Sequence, residues 1–400
     1  MTASASTSQY LSPDDDQQVM VRVFALSDVG QTREHNEDAF LVAELDALQE
    51  VEFKARSTRS KALVAGAHGL LFLVADGMGG AASGELASGM ARDIILESLQ
   101  SRWDGTAELS PETFAAVLRD ATEEANSRIH KHSRDFAEHR GMGTTATLAG
   151  LLGDRLYLAQ VGDSRAYLIR NANAIQITKD QSLMQRLVEA GELTEEEAEN
   201  SDRRNIILQA LGPDAHVTVD LTVQQVRRGD TLIMCSDGLS GLVRADEIAR
   251  LATDERDVEA VCRRLVERAN EEGGHDNITV IAVHFEGNGL SPASDSDEIG
   301  HRPFPLAGTL AAEEAAITRE RPTPFKSDPT PMFALPTVNR ATLEEEFARA
   351  REAESDEQLR SDDEVLEERR KKAQPIMIAL VILAILATAF MLWRLFIDNS

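Results

Sequence analysis

The stretch LFLVADGMGG, Leu71–Gly80, governs how the rest of the chain is interpreted. Its apolar start predicts a buried strand, and this strand ends on the carboxylate of Asp76. Glycine then fills most of the following positions, so the backbone is free to bend sharply and to present the carbonyl of Gly77. Carboxylate and carbonyl oxygens are ligands that hard cations prefer, so the stretch predicts a metal-binding strand end.

The composition limits the classes of function. The 400 residues are 42% hydrophobic, which is ample for a large core, and the formal net charge is -27. This charge argues against nucleic acid as a partner, because phosphate-backbone binding draws its affinity from clustered Lys and Arg. Cys235 and Cys262 lie in apolar contexts without metal-ligand spacing and are predicted to be reduced core residues.

Between residues 19 and 286 short apolar strands alternate with amphipathic helices. Helices are predicted at 84–103, 111–138 and 258–272, with Ser110 as the N-cap of the second. Only turns separate several of the strands, which favours antiparallel pairing in an α+β layered domain. The predicted strands are VRVFALS, DAFLVAE, LLFLVA, ATLAGLL, RLYLAQVG, AYLIR, TLIMCS and ITVIAVHF.

Acidic residues recur at the ends of the predicted strands. Each one taken singly suits a solvated turn. If the strands stack in adjacent sheets, their ends bring the carboxylates to one edge, where repulsion requires cations. Oxygen ligation without His or Cys favours Mg²⁺ or Mn²⁺, so a binuclear metal centre is the working hypothesis. The acids are Asp28, Asp76, Asp163, Asp237 and Asp276.

Seven stretches, in order along the chain, resemble the metal-dependent serine/threonine protein phosphatases of the type 2C (PPM) family in their bacterial form. The resemblance implies a four-layer α-β-β-α sandwich of two antiparallel sheets flanked by helices, with the metals in a cleft at one edge. The stretches are SDVGQTREHNEDAF, LFLVADGMGG, GMGTTAT, VGDSRAYLIR, SLMQRLVEAGELTEEEAENSDRRNIILQALG, MCSDGLSGLV and GHDNITVIAV.

The resemblance also implies a role for each metal ligand. Asp76 would bridge two Mn²⁺ or Mg²⁺ ions, and Asp237 and Asp276 would complete the first site. The carbonyl of Gly77 would bind the second ion. Asp163, together with Asp237, would offer a third and weaker metal site.

Four further residues carry implied roles beside the ions. Glu37 and Asp38 would hold metal-bound waters, and Arg33 would bind the substrate phosphate through paired hydrogen bonds. Asn277 would lie directly behind the metal ligands. Met78 departs from the pattern of many eukaryotic relatives, which carry His at this position, so leaving-group protonation would fall to a metal-bound water.

The implied activity is the hydrolysis of phosphoserine and phosphothreonine in proteins by a metal-activated hydroxide. By family analogy, a serine/threonine kinase is expected among the substrates. One alternative is a catalytically weak pseudophosphatase that binds phosphoproteins as a scaffold, against which the complete acidic set and Arg33 count. A two-metal hydrolase of another ester, such as a nuclease, is disfavoured by the negative charge.

The sequence also predicts how the catalytic part is bounded. Residues 1–18 contain no apolar signal region and are expected to be a flexible leader before a catalytic domain at 19–286. Residues 182–212 resemble the family's flap and are predicted to form three short helices. Residues 45–69 exceed what a tight hairpin needs, and either an extra loop near the cleft mouth or a disordered excursion fits.

The C-terminal part predicts a membrane anchor. A transmembrane helix is predicted at 375–397, because its Ile376–Trp393 core has no charge. It follows a Pro-rich linker at 287–340 and a charged juxtamembrane segment at 341–372. The basic run at 369–372 flanks this helix on its N-terminal side. By the positive-inside rule the catalytic domain would face the cytoplasm from the cytoplasmic membrane.

Overall fold

Two antiparallel sheets lie face to face in the structure, a computed structural model of the chain. Among the residues that it describes, no helix is both long and apolar enough to cross a bilayer. The predicted leader up to residue 17, the linker beyond residue 306, the juxtamembrane segment and the transmembrane helix lie outside these residues. The described residues are 18–47, 49–53, 59–102, 109–199, 201, 203, 205–255, 257–294 and 297–306.

The first sheet has the strand order β10-β9-β12-β13-β1-β4. Its long central pair joins β1 to β13 over nine residues, from Met20 opposite Glu286 to Asp28 opposite Ile278. The strands are β1 (Met20–Asp28), β4 (Lys61–Val64), β9 (Arg165–Arg170), β10 (Asn173–Gln176), β12 (Thr231–Cys235) and β13 (Ile278–Glu286).

The second sheet has the order β11-β8-β7-β5-β2-β3, and β6 pairs with the end of β5. In this sheet the stretch quoted first, β5, lies in the middle and is buried over Leu70–Ala75. The strands are β2 (Asp38–Glu44), β3 (Gln49–Glu50), β5 (Leu70–Met78), β6 (Gly143–Thr144), β7 (Ala146–Leu152), β8 (Arg155–Val161) and β11 (Asp220–Gln225).

Helices cover the outer faces of both sheets, so the expected α-β-β-α layering is confirmed. Buried side chains from both sheets meet in a central core, and two further cores lie beneath the helices. The second sheet packs against α1 (Ala81–Arg102) and α2 (Pro111–Asp135). The first sheet packs against α7 (Val258–Glu271), with α6 (Ala245–Asp254) beside it.

The three helices predicted outside the flap are present as α1, α2 and α7. The amide of Thr113 donates to Ser110 Oγ at 3.2 Å, which is the N-cap bond expected for α2. One face of α2, from Phe114 to Ile129, is buried against the second sheet, as expected of an amphipathic helix. All eight predicted strands are present, and the strands that the sequence analysis missed are short or polar.

The 45–69 segment adds an edge strand to each sheet. Its first part, β3, pairs with β2, and the amide of Val51 donates to the carbonyl of Val42 at 2.8 Å. Its last part, β4, pairs with β1 in the other sheet. Of the two alternatives, the described residues of this segment therefore favour an ordered addition.

The flap contains two of its three predicted helices. α3 (Leu183–Glu189) and α4 (Glu195–Glu199) are present, and Thr194 and Glu197 form a reciprocal capping box at the start of α4. The third helix is wrong, because residues 205–211 are not helical. The amides of Leu183 and Leu208 instead bond the carbonyls of Ile206 and Gln181, which pairs the two ends of the flap.

Residues 288–306, apart from 295 and 296, form a segment that we call the C-terminal strap. The strap lies along β11, the edge strand of the second sheet. The amide of Val223 donates to the carbonyl of Arg302 at 2.9 Å, and the amide of Phe304 donates to that of Leu221 at 2.8 Å. The predicted linker therefore begins with residues that cover a sheet edge.

Apolar side chains fasten the strap to the domain. Leu290 and Leu306 are 1% and 6% exposed, and the Phe304 ring meets the Tyr157 ring edge-on with 5.4 Å between centroids. Because burying an aliphatic or aromatic side chain contributes about 1.5 to 3 kcal/mol, the strap adds to the stability of the catalytic domain.

A fragment that ends at Glu286 should accordingly be less stable than one that ends at Leu306. We expect a loss of about 3 to 6 kcal/mol in the free energy of unfolding, because the two buried leucines, Leu290 and Leu306, are removed. Urea denaturation of fragments 18–286 and 18–306 measures this difference. Phe304→Ala should give part of the loss, whereas Glu298→Ala, at a side chain 85% exposed, should give none. Equal stability of the two fragments would contradict a structural role for the strap.

Candidate active site

Strand ends bring five predicted site acids to one edge of the sandwich. Asp76 lies near the end of β5, directly opposite Asp38 at the start of β2. Asp163 follows β8, and Asp276 precedes β13. Asp237 follows β12 at the first residue of a short helix, α5 (Asp237–Ser240). Four of the five acids named at strand ends in the sequence, Asp76, Asp163, Asp237 and Asp276, thus lie close together, with Asp38 beside them.

Burial and mutual repulsion disfavour the charged form of these carboxyls. Burial, reinforced by the neighbouring acids, raises the pKa of Asp38 to about 7 and that of Asp163 to about 8. The pKa of Asp76 is raised well above its ordinary value for the same two reasons. Burial and the charge of Asp276 raise the pKa of Asp237, against a hydrogen bond to Asp76 that lowers it.

The donor set fits divalent cations. One carboxylate oxygen of each of three residues is buried without a hydrogen-bond partner: Asp38 Oδ1, Asp163 Oδ1 and Asp237 Oδ1. Buried polar atoms are normally paired, so three such oxygens in one cluster indicate a missing positive charge. In the described ranges no group of three or more His, Cys, Asp or Glu side chains is already arranged to hold an ion. The structure thus offers the ligands rather than a finished cage.

Close backbone packing explains Gly77, the glycine directly after Asp76. A Cβ atom on Gly77 would lie 2.2 Å from the Gly84 carbonyl oxygen and 2.5 Å from that of Glu37. Such contacts are prohibitive, so glycine is required here. The peptide before it is fixed as well, because the amide of Asp76 donates to Thr145 Oγ1 at 2.9 Å and its carbonyl accepts from the amide of Thr145 at 2.8 Å.

Asn277 holds the loop that carries Glu37. Its Oδ1 accepts from the amide of Glu37 at 2.8 Å, and its Nδ2 donates to the carbonyls of Val29 and His35 at 3.0 and 2.9 Å. The Glu37 carboxylate approaches Gly84 so closely that a Cβ there would lie 1.8 Å from Oε2. Burial raises the pKa of Glu37, against the charge of Arg33, which lowers it.

The sequence analysis missed two hydroxyl groups that position site acids. Ser236 Oγ donates to Asp38 Oδ2 at 2.7 Å and accepts from the amide of Thr279 at 3.0 Å. Thr145 fixes the backbone of Asp76. Both residues lie inside motifs quoted above. Ser236 directly precedes Asp237 in MCSDGLSGLV, and Thr145 lies in the small-residue run GMGTTAT, and these positions were the signals that could have identified them.

Arg33 lies at the rim of the carboxylate cluster. Its Nη2 donates to Asp276 Oδ2 at 2.9 Å, and its side chain is 49% exposed. Partial burial lowers the pKa of the guanidinium. The hydrogen bond with Asp276 and the charges of Glu37 and Asp76 outweigh this effect, so the pKa is raised above its ordinary value. The group is thus permanently cationic and accessible from solvent.

A cavity of about 560 Å³ separates the cluster from the flap. Asp163, Asp237 and Asp276 line one side, and Met184 and Val188 of α3 line another. The flap therefore borders the candidate site, as the resemblance implies.

Asp28, the remaining acid predicted at a strand end, is bonded elsewhere. Its Oδ1 accepts from the amide of Gly30 and from Asn270 Nδ2.

Comparisons with known proteins agree with this architecture. The family profile "Protein phosphatase 2C" matches residues 57–191. The serine/threonine phosphatase stp of Listeria monocytogenes is 37% identical over 213 residues, which are 53% of this chain and 83% of that protein. The protein phosphatase PhpP of Streptococcus pneumoniae is 34% identical over 264 residues, 66% of this chain and 97% of its own.

Solved structures give the same result. The Mycobacterium tuberculosis serine/threonine phosphatase PstP/Ppp superposes with a TM-score of 0.54 at 33% identity, over 67% of this chain and 99% of its own. The catalytic domain of PstP in complex with two manganese ions gives a TM-score of 0.53 at 34% identity, with the same coverage. The chain described here therefore belongs to the protein phosphatase 2C family of metal-dependent serine/threonine protein phosphatases, whose cofactors are Mn²⁺ or Mg²⁺.

Proposed function

We propose that the chain is a membrane-anchored phosphatase that hydrolyses phosphoserine and phosphothreonine in proteins at a two-metal centre. The observation that carries this proposal is the set of three buried, unpartnered carboxylate oxygens beside an accessible Arg33. The first feature suits divalent cations and the second suits a phosphoryl group. Nucleic acid is not proposed as a substrate.

In this proposal Asp76, Asp237 and Asp276 would hold one ion, and Asp76 with the Gly77 carbonyl would hold the other. Asp38 and Glu37 orient waters at the edge of the site. Ions held there would supply positive charge beside the phosphoryl group and would lower the pKa of a nearby water. Support comes from the meeting of these residues at one edge and from the manganese-bound relative.

The protein's own contribution is to keep the ligands in place. Thr145 fixes the backbone of Asp76 within β5, and Ser236 fixes Asp38. Asn277 fixes the Glu37 loop through three hydrogen bonds. Ligands that the fold holds in place need not reorganise during the reaction, and such preorganisation contributes to catalysis. Asp163 with Asp237 is proposed to hold a third, weaker ion.

Arg33 is proposed to bind the substrate phosphate. Its hydrogen bond to Asp276 places the guanidinium beside the ligand cluster, where a phosphoryl group would need to lie. A guanidinium donates two parallel hydrogen bonds to phosphate oxygens and stays charged at any working pH. The bond to Asp276 would be exchanged for bonds to the substrate.

Phosphate release from a phosphothreonine peptide should require Mn²⁺ and fail in Asp76→Asn. We expect a loss of at least about 100-fold in kcat, because a shared ligand for both ions is removed. Arg33→Ala should keep metal dependence but raise KM for the peptide. A malachite-green assay on the full chain measures both effects, and Glu97→Gln, at a side chain 66% exposed on α1, is the control.

The same assay distinguishes the scaffold alternative. A pseudophosphatase would bind the phosphopeptide without turnover, so binding measured by fluorescence anisotropy would be retained while phosphate release would be absent with every metal. Metal-independent release from the Asp76→Asn variant would contradict the two-metal proposal instead.

We infer the membrane anchor from residues 375–397, which the structure does not describe. The support is the uncharged run of Ile376–Trp393 after a basic flank. An anchored domain facing the cytoplasm would meet phosphoproteins at the membrane, and we propose a serine/threonine kinase among them.

Cell fractionation tests the anchor. The full chain should remain in the membrane pellet after carbonate extraction, whereas a chain that ends at Lys372 should be released into the supernatant. Recovery of both proteins in the supernatant would overturn the anchoring proposal and leave the phosphatase proposal untouched.

A further inference from the structure

A second cavity, of about 490 Å³, adjoins the carboxylate cluster at Asp38. We call it the insertion-side cavity, because residues of the 45–69 segment form one of its walls. That wall carries Glu50, Glu52 and Phe53, and the opposite wall comes from α1. The cavity therefore lies next to the reacting centre but is built partly by a segment longer than a tight hairpin needs.

The wall formed by the insertion is fixed to the domain. Phe53 contacts the ring of Phe24 edge-on at 5.7 Å between centroids and the ring of Phe40 at 6.5 Å. The backbone just before it pairs with β2, since Ala43 lies opposite Glu50. Because aromatic contacts and strand pairing both hold this segment, its carboxylates have a defined place at the cavity.

The lining of the insertion-side cavity is acidic. Glu50, Glu52 and Glu85 line it and are exposed to solvent, and Asp38 forms part of its floor. Arg92 supplies the only positive charge among the described residues that line it, and its Nε donates to Asp93 Oδ1 at 2.9 Å. An anionic group is repelled from such a lining and a cationic group is attracted.

The same cavity has aromatic surface for the stem of a cationic side chain. Phe40 and Phe53 both line it. Lys and Arg combine an apolar stem with a charged head, so phenyl rings next to carboxylates match both parts. Room is available as well, because a Cβ atom built on Gly89, in the α1 wall, meets nothing within 4 Å.

We propose that the insertion-side cavity is a specificity subsite that receives a Lys or Arg side chain close in sequence to the phosphorylated residue of a substrate protein. The inference rests on the proposed phosphatase function and names its substrate class: phosphoproteins with a basic residue beside the phosphorylation site. Asp38 belongs to both the cluster and the cavity, so a peptide whose phosphate lies at the cluster has its neighbouring residues within reach of the cavity.

A lysine walk tests the subsite in the full chain in detergent. Phosphothreonine peptides with an alanine background carry one Lys at each position from -4 to +4, and kcat/KM is measured with Mn²⁺. At one or two positions Lys should raise kcat/KM over Ala by about 5- to 30-fold, the range for two partly exposed ion pairs and a cation–π contact. Peptides with Glu at those positions should be poorer than Ala.

Variants of the cavity assign the preference to its walls. Glu50→Gln with Glu52→Gln should bring the Lys-to-Ala ratio close to one, and Glu50→Lys with Glu52→Lys should make Glu the preferred residue. Gly89→Leu should also lower the ratio, because it fills the cavity at a helix position that favours Leu. Glu97→Gln, on the same helix but outside the lining, should leave the ratio as in the unmodified chain.

Hydrolysis of p-nitrophenyl phosphate distinguishes failure of the subsite proposal from failure of the phosphatase proposal. If the chain hydrolyses this ester but the lysine walk is flat, or if the double Gln variant keeps the preference, the subsite is overturned and the phosphatase proposal stands. If neither the ester nor any peptide is hydrolysed with Mn²⁺, the phosphatase proposal fails. Anisotropy of the labelled Lys and Ala peptides then decides the subsite, since equal affinities would overturn it.

Discussion

The concentration of carboxylates at one edge of two stacked sheets is the constraint on which the rest of the structure depends. Buried acids repel each other and lose hydration, and here both effects raise the pKa values of Asp38, Asp76, Asp163 and Asp237. A fold tolerates such a cluster at low cost only when cations complete it. Residues around the cluster hold its oxygen atoms close together although they repel each other. Gly77 allows close backbone packing, and the side-chain amide of Asn277 fixes the Glu37 loop.

The described residues divide into a core that makes the site and additions that surround it. The core comprises the paired sheets and the helices on their outer faces. The additions are the flap, the 45–69 segment and the C-terminal strap, and each of them lies at a sheet edge or beside the cleft. The flap and the 45–69 segment border cavities on different sides of the carboxylates, whereas the strap covers β11. The additions thus lie outside the carboxylate cluster while two of them border it.

The sequence predicted the buried parts of the fold because burial leaves a strong pattern. Each long strand is an apolar run, and the acids could be located because they end those runs. β11 was missed because DLTVQQ is polar at alternate positions and lies on the edge of its sheet. The non-helical end of the flap and the packing of the strap were missed because both depend on pairing with distant segments, which local propensity does not report.

Within the site, the acids were predictable and their supports were not. A carboxylate at a strand end is visible in the sequence, but the partner that orients it is often far along the chain. Ser236 and Asp38 are bonded across 198 positions, and Glu37 and Asn277 across 240. Only the folded structure brings such pairs together, which is why the hydroxyl of Ser236 had no assigned role before the fold was known.

Calorimetric titration of the metal-free protein with Mn²⁺ tests the central claim most directly. Carboxyls with pKa values of about 7 and about 8 hold protons near neutral pH, so binding must release them and the apparent affinity should rise between about pH 6 and about pH 8. Repeating the titration in buffers of different ionisation enthalpy counts these protons. The account predicts at least two bound ions with proton release that declines as the pH increases. Binding that is independent of pH and releases no protons would contradict it.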